Sequence, residues 1–344
     1  MSPMRAWKTV RTGRPAEALE LSTDTQEPTP TPGTIALEVT AAGLGLPDAL
    51  MCLGSYALTP ALPFTQGQEV VGRIARPGPG VENRRIGDRV MAVTSFFTGD
   101  GAFAEQCLAL DDFCLPVPEE MTDAEAAGFL IPLHTAYIAL VQRARLEAGE
   151  TLLVLGGAGG TGSAALQLGR ILGARVITTA GGPEKVDFCR TLGADEVIDY
   201  HSEDIATRVR ELTEGVGAQV VYDPVGGPAF RSATRCVSHE GRILLVGFAS
   251  GSWGEVESAH LVNQNYSVLG VIPTRYDRAF KEAAQMRLVH WWREGRIRIP
   301  VETLVPFEAL PKALEKLQAG RVRGKLVLAV DPDATAPDGT PRLL

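Results

Sequence analysis

The apolar positions of the chain change period twice. Residues 1–120 read as mostly β: Thr34–Thr40 alternates loosely, Val70–Ala75 and Asp88–Val93 are short apolar runs, and glycine and proline punctuate the gaps, as in PTPTPG at Pro28–Gly33. From about residue 124 the period becomes helical, through DAEAAGFLIPLHTAYIALVQRARL, with Pro132 expected to break or kink the helix. Between Thr151 and about Ile272 strand and helix alternate. Strands are expected at Thr151–Leu155, Arg175–Thr179, Glu196–Ile198, Gln219–Tyr222, Arg242–Val246 and Ser267–Val271, with helices such as Glu184–Leu192 and Asp204–Thr213 between them. Six short strands separated by helices predict an α/β, doubly wound parallel sheet. After Pro273 come helical stretches at Tyr276–Arg293 and Phe307–Gln318, a last strand at Gly324–Val330, and a polar tail, DPDATAPDGTPRLL, expected to be loose. At 344 residues, two domains is the default.

The most informative stretch is Thr151–Gly173, TLLVLGGAGGTGSAALQLGRILG. A buried-looking strand runs into Gly157-Ala158-Gly159-Gly160-Thr161-Gly162, and Ala164, Leu168, Ile171 and Leu172 then recur at helical spacing up to Gly173, a C-cap position. G-x-G-x-x-G between strand and helix is the context in which the pattern binds a dinucleotide. One glycine lets the chain turn, one lets the backbone approach a pyrophosphate, and one lets helix and strand pack closely. The N–H groups of the new helix then meet the phosphates. Residues Val225–Gly227 and Gly247–Ala249, with Phe248 among them, follow the fourth and fifth strands, at the carboxyl ends where ligands sit in such sheets.

Composition narrows the partners. A net charge of −8 with no basic block argues against nucleic acid or an anionic membrane as main partner. No apolar stretch reaches the length of a membrane span, and MSPMRAWKTVRTGRP holds no signal-peptide core, so a cytoplasmic location is expected. Five scattered cysteines without a C-x-x-C pair read as reduced thiols packed as small hydrophobes. The histidines never pair as H-x-x-x-H, so no metal site of His and Cys is expected.

The end of the second Rossmann-type strand sets the cofactor. A reader of NAD carries an acid there, about 20 residues past the glycines. Here the place reads Thr178-Thr179-Ala180-Gly181-Gly182, without an acid, and Lys185 follows. Lys185 is either a point charge for a 2′-phosphate or a solvated helix lysine. Glu184 falls in a helix's first turn, where acids are common. The expected cofactor is NADPH, with Thr179, Gly181 and Lys185 beside it.

Gly43-x-x-x-x-Asp48, Gly54-x-Tyr56, Gly67-Gln68-Glu69-x-x-Gly72, Gly87-Asp88-Arg89-Val90, Thr135-Ala136-Tyr137, Leu192-Gly193-Ala194-Asp195, Asp223-Pro224-Val225-Gly226-Gly227, Asn265-Tyr266-Ser267 and Gly324-Lys325-Leu326-Val327-Leu328 surround the glycine block in order. With them the chain resembles the medium-chain dehydrogenase/reductase superfamily, in its zinc-free, zeta-crystallin-like quinone oxidoreductase branch, from about Ala36 to Val330. The resemblance implies a GroES-like, mostly β domain from residues 1–123 and 274–344. It implies a Rossmann domain from residues 124–273, a cofactor with its nicotinamide facing the GroES-like part, and a homodimer through the edge strand Ser267–Val271. A dimer there would also cover an open strand edge.

The same resemblance supplies residue roles. Tyr56 stands where a tyrosine donates to the acceptor oxygen, or it covers the core. Gln68 stands where it polarises a carbonyl, and Thr135 on the nicotinamide side. Tyr200 packs near the adenine ribose or is a surface tyrosine, and Val271 lies near the nicotinamide amide. Lys325 reaches the phosphates or is solvated. Asp48 and Glu69 match the family's acids and are expected to hold loop geometry. Zinc-dependent relatives use Cys, His and Cys at positions that here are Gly45, Gln68 and Ile131, and Met91–Cys107 is too short for a four-cysteine lobe, so zinc is expected to be absent. Without a Lewis acid, the accessible reaction is hydride delivery to an acceptor already electrophilic, a quinone or another α,β-unsaturated carbonyl compound. Gly45 and Leu50 replace an asparagine and a tyrosine of the branch, leaving the mouth less polar. Two other readings therefore stand beside it: an enoyl-thioester (enoyl-CoA or carrier-protein) reductase, docked through Arg275, Arg278 and Lys281, and a non-catalytic NADPH-binding or structural protein.

Overall fold

A computed structural model describes residues 3–331, so the expected loose tail lies outside the described residues apart from its first position. The chain begins with β1 (Pro3–Thr9), β2 (Leu19–Gln26), β3 (Thr34–Leu44), β4 (Glu69–Pro77), β5 (Arg89–Thr94) and β6 (Gln106–Pro116). It then forms β7 (Thr151–Val154), β8 (Arg175–Ala180), β9 (Glu196–Asp199), β10 (Ala218–Asp223), β11 (Val237–Leu245) and β12 (Ser267–Gly270), and ends with β13 (Val301–Pro306) and β14 (Lys325–Ala329).

Two compact units divide these elements. The first comprises the chain up to Ile131, Asp277–Gln285 and the chain from Ile299; the second comprises Pro132–Tyr276 and Met286–Arg298. The division falls after Ile131, where a boundary at residue 123 was expected, and the second half of the helix Arg278–Arg293, from Met286, groups with the second unit together with the turn after it. The reason is local. The capped helix Asp123–Ala127, whose Thr122 hydroxyl accepts from Glu125 N–H, packs with β3 and β4 before the chain moves on.

In the first unit the sheet runs β13-β14-β3-β4-β5-β6, and β3 also pairs with β6, closing a barrel. β3 can serve three neighbours because its eleven residues carry bulges between Ala36 and Leu37 and between Val39 and Ala41. Ile35, Leu37, Val70, Ile74, Phe103 and Leu326 are among the residues of its core. PTPTPG turns at Pro32–Gly33 before β3 as expected, while β1, β2, β6, β13 and the helix Leu46–Cys52 were not individually placed by the hydrophobic pattern.

In the second unit all six strands are parallel, in the order β12-β11-β10-β7-β8-β9. That is the doubly wound order, with the switch between β7 and β10. The fold is therefore a GroES-like β unit with a Rossmann-type α/β unit. β7 is buried at every position, which a parallel strand covered on both faces requires. Each expected strand of this sheet is present within a few residues, and Gly173, at φ 85°, follows the helix Gly160–Ile171 as its left-handed stop. Pro132 does not break its helix. It sits in the first turn of Leu130–Tyr137, where no N–H is missed, and the interruption lies just before, at Gly128–Phe129. All five cysteines are buried and unpaired.

Candidate functional site

The turn after β7 is built by subtraction of side chains. Gly156 N–H donates to the Thr179 hydroxyl at 2.9 Å and Gly157 N–H to the Thr179 carbonyl at 3.0 Å, fastening the loop to β8. A Cβ on Gly157 would collide with the Thr178 side chain, and one on Gly162 would collide with the Gly156 carbonyl. Those two glycines are required by the protein's own packing. Gly159 is different: it is exposed, its φ of −82° suits any residue, and a Cβ there would meet nothing closer than the Gly156 carbonyl at 3.5 Å. Nothing in the fold asks for glycine at that position, but a ligand seated on the backbone would. The helix Gly160–Ile171 starts immediately after, with Ala158 buried behind the loop and Thr161 half-buried in its first turn.

The neighbouring strand ends complete this face. Gly156 lies close to Val225, since a Cβ on it would stand 3.2 Å from the valine methyl. The Asp223 carboxylate accepts from Val225 and Gly226 N–H, both at 2.8 Å, and burial raises its pKa above the usual carboxylate range. Gly247 N–H donates to the Asp223 carbonyl at 3.3 Å, and Phe248 packs on Trp253 with ring centres 4.7 Å apart. Val271 N–H donates to Leu245 just beyond β12. At the end of β8, Gly181 lies under the Tyr200 ring: a Cβ on it would approach the phenol oxygen to 2.5 Å. Lys185 is half-buried in the first turn of the helix Pro183–Thr191. Thr179, expected at the cofactor, has its hydroxyl engaged by Gly156 and is 2% exposed, so its role is to anchor the glycine turn.

The β unit holds a second candidate site, made of charge. Glu69, Lys325 and Asp48 are all buried. Lys325 Nζ donates to Glu69 Oε2 at 2.9 Å, and Glu69 Oε1 accepts from Ile131 N–H at 2.9 Å. Burial raises the Glu69 pKa, and Lys325 works against that rise. Lys325 is thus neither solvated nor aimed at a cofactor phosphate, and that expectation is corrected. Its ammonium is needed where it is, because a buried carboxylate without a partner is costly. Gly43 makes room for the pair: a Cβ there would stand 2.8 Å from Glu69 Oε2 and 3.1 Å from Lys325 Nζ, and would collide with the Ala127 carbonyl.

Asp48 Oδ2 accepts from Gly45 N–H at 2.8 Å at the start of the helix Leu46–Cys52, while Oδ1 has no hydrogen-bond partner among the described residues. Burial pushes its pKa up to about 7, against the pull of Gly45 N–H and Lys325. Asp48 thus fastens Gly45 at the start of its helix, and Glu69 fastens Ile131. Beside them the Tyr56 hydroxyl and the Gln68 side chain are hydrogen-bonded, and burial raises the tyrosine pKa. The Gln68 amide also lies 4.0 Å from Met51 Sδ, and the Tyr56 ring is 6.4 Å from that of Phe96. Two of the three expected catalytic residues are in this way brought together, whereas Thr135 belongs to the other unit, buried in the helix Leu130–Tyr137. The chemistry this pair offers is a hydrogen-bond donor for an oxygen that gains charge. Gly45 and Ile131 have no lone pair to offer a metal, and among the described residues no group of three His, Cys, Asp or Glu side chains could hold one. No sequence pattern announced the Glu69–Lys325 pair, whose members are 256 residues apart. A glycine start with an acid three residues on was the available signal for Asp48.

Comparison with known proteins agrees with this architecture. Residues 31–119 match the family model described as alcohol dehydrogenase GroES-like domain, and residues 160–288 the one described as zinc-binding dehydrogenase. Quinone oxidoreductase-like protein 2 of Rattus norvegicus is 31% identical over 303 residues, covering 87% of this chain and 85% of that protein. The structure of mycobacterial Rv1454c complexed with NADPH superposes with a TM-score of 0.87 at 31% identity, covering 95% of this chain and 99% of that one. Escherichia coli quinone oxidoreductase complexed with NADPH gives a TM-score of 0.86 at 26% identity, over 94% and 99%. A closed β barrel, a glycine cradle on a parallel sheet and relatives of nearly the same length converge: the chain belongs to the medium-chain dehydrogenase/reductase superfamily, among its quinone oxidoreductase-like members.

Proposed function

We propose that the protein is an NADPH-dependent oxidoreductase that delivers hydride to a quinone or another α,β-unsaturated carbonyl compound without zinc. The observation that carries the cofactor reading is Gly159, a glycine that no packing or dihedral requires, at the entry of a helix whose first N–H groups lack partners within the helix. The pyrophosphate fits on Gly157–Gly162, the adenosine end on Gly181, Lys185 and Tyr200, and the remaining contacts on Val225, Gly247, Phe248 and Val271. When bound, the cofactor supplies the hydride.

What the chain itself supplies is orientation and a hydrogen bond. Tyr56, held by Gln68, donates to the acceptor oxygen as it gains negative charge, in a pocket dry enough to raise the phenol's pKa. A proton donor of this kind performs part of what a Lewis acid performs elsewhere. Zinc independence is supported by the donor set, since Gly45 and Ile131 replace two ligand side chains. Of the three cations named for enoyl-thioester docking, Lys281 is buried, donating to Asp112 at 2.7 Å and lying over the Phe113 ring, and Arg278 is paired with Asp111, so exposed Arg275 is what supports that reading. β12, which pairs with β11 on one side and forms the sheet's edge, is the proposed seam of a homodimer. No described helix is long and apolar enough to cross a membrane.

The test is NADPH oxidation by purified protein with a quinone and a short enone against crotonyl-CoA, before and after dialysis against a chelator. The expected result is turnover with the first two, little with the thioester, and no loss on chelation. Tight NADPH binding with no acceptor reduced would leave the non-catalytic reading in its place.

A further inference from the structure

A residue not yet assigned a role stands at the corner expected to hold the 2′-end of the cofactor. His201 follows Tyr200 at the end of β9, and its ring meets the tyrosine edge-on with centres 4.9 Å apart. A Cβ on Gly181 would come within 3.0 Å of His201 Cε1 as well as of the phenol, so glycine at 181 admits both rings over the end of β8. A Cβ on Gly182 would meet nothing nearer than His201 Nδ1 at 3.9 Å. Both rings remain open to a ligand: Tyr200 is 47% exposed and the His201 side chain 63%.

The charges around this corner matter. Asp199 is its carboxylate, but Oδ1 accepts from Gly182 and His201 N–H, each at 3.0 Å, and these bonds hold its pKa below the usual range. Its oxygen also lies 3.9 Å from His201 Nδ1. Glu203 accepts from Asp199 N–H and faces Arg208 at 3.4 Å. Lys185 and Glu184 come from the helix that starts at Pro183. Asp199 is thereby committed to shaping the turn.

Building on the cofactor reading above, we propose that His201 discriminates NADPH from NADH, its imidazole donating to a 2′-phosphate seated over Gly181–Gly182 beside the Tyr200 hydroxyl. A hydroxyl in place of the phosphate gains less from that donor, since a hydrogen bond to an anion is about twice as strong as one to a neutral oxygen.

Fluorescence titration of the wild type, His201→Gln and His201→Arg with NADPH and with NADH tests this, and it needs no turnover. The expected result is a loss of NADPH affinity in His201→Gln of about threefold to fivefold, the size of an exposed charge contact. NADH affinity should stay within about twofold, and His201→Arg should restore NADPH binding. Equal weakening of both cofactors, or no change in either, overturns the role of His201. A wild type that binds neither cofactor, or prefers NADH, instead overturns the cofactor reading itself.

Discussion

The glycine face of the parallel sheet and the acid pocket of the β barrel are built by opposite means. The first keeps a surface clear of side chains at the start of a helix. The second keeps three ionisable side chains out of water, where each depends on the others. A surface made by omission is robust to electrostatics and intolerant of added atoms. A pocket made of buried charge tolerates little loss of a partner and responds to pH.

The largest effect is expected from breaking the buried pair. Lys325→Met leaves Glu69 buried alone and should lower stability by about 3–5 kcal/mol, seen as a fall in the urea midpoint. Adding Glu69→Gln to the same chain should recover much of that loss. If the single substitution is silent, the pocket is wetter than the geometry indicates.

The next effect depends on pH. The Asp48 pKa is raised from 3.8 to about 7, so the fold favours its protonated form. Its contribution to stability is complete below about pH 4 and is lost as pH rises through 7. Asp48→Asn mimics the protonated group. Its stability to urea should gain on the wild type from pH 5 to pH 8 by about 2–3 kcal/mol, because the fold's preference for the protonated group lapses between the two pKa values. Parallel curves for the two proteins would remove Asp48 from the coupled set.

The glycine face gives the smaller and sharper pair. Gly162→Ala pushes a methyl into the Gly156 carbonyl and should cost about 1–3 kcal/mol of stability together with cofactor affinity. Gly159→Ala should leave the thermal midpoint unchanged while weakening NADPH binding about tenfold. Should Gly159→Ala bind NADPH as the wild type does, the backbone there is not a ligand surface and the comparison fails on that side.

The legibility of the two regions differs for the same reason. Gly157, Gly159 and Gly162 are close in sequence, and the strand and helix that flank them have their own periods, so the cradle could be read along the chain. Thr179 was expected beside the cofactor and not as the anchor of that loop, because the direction of a hydroxyl is decided by packing. Lys325 was misread entirely. Its strand was visible, while its partner on β4 was not, since β14 reaches β4 only through β3 in the folded barrel. His201 carried no pattern of its own; only the contact of β9 with β8 places it over Gly181.

The amino-acid sequence alone determined the parallel sheet, its strand sequence and the glycine turn, because each follows from local period and from residues without side chains. The tertiary structure alone decided which charges are buried together and which stay exposed. Electrostatic fate depends on solvent exclusion by segments distant along the chain, and that exclusion exists only after the barrel has closed.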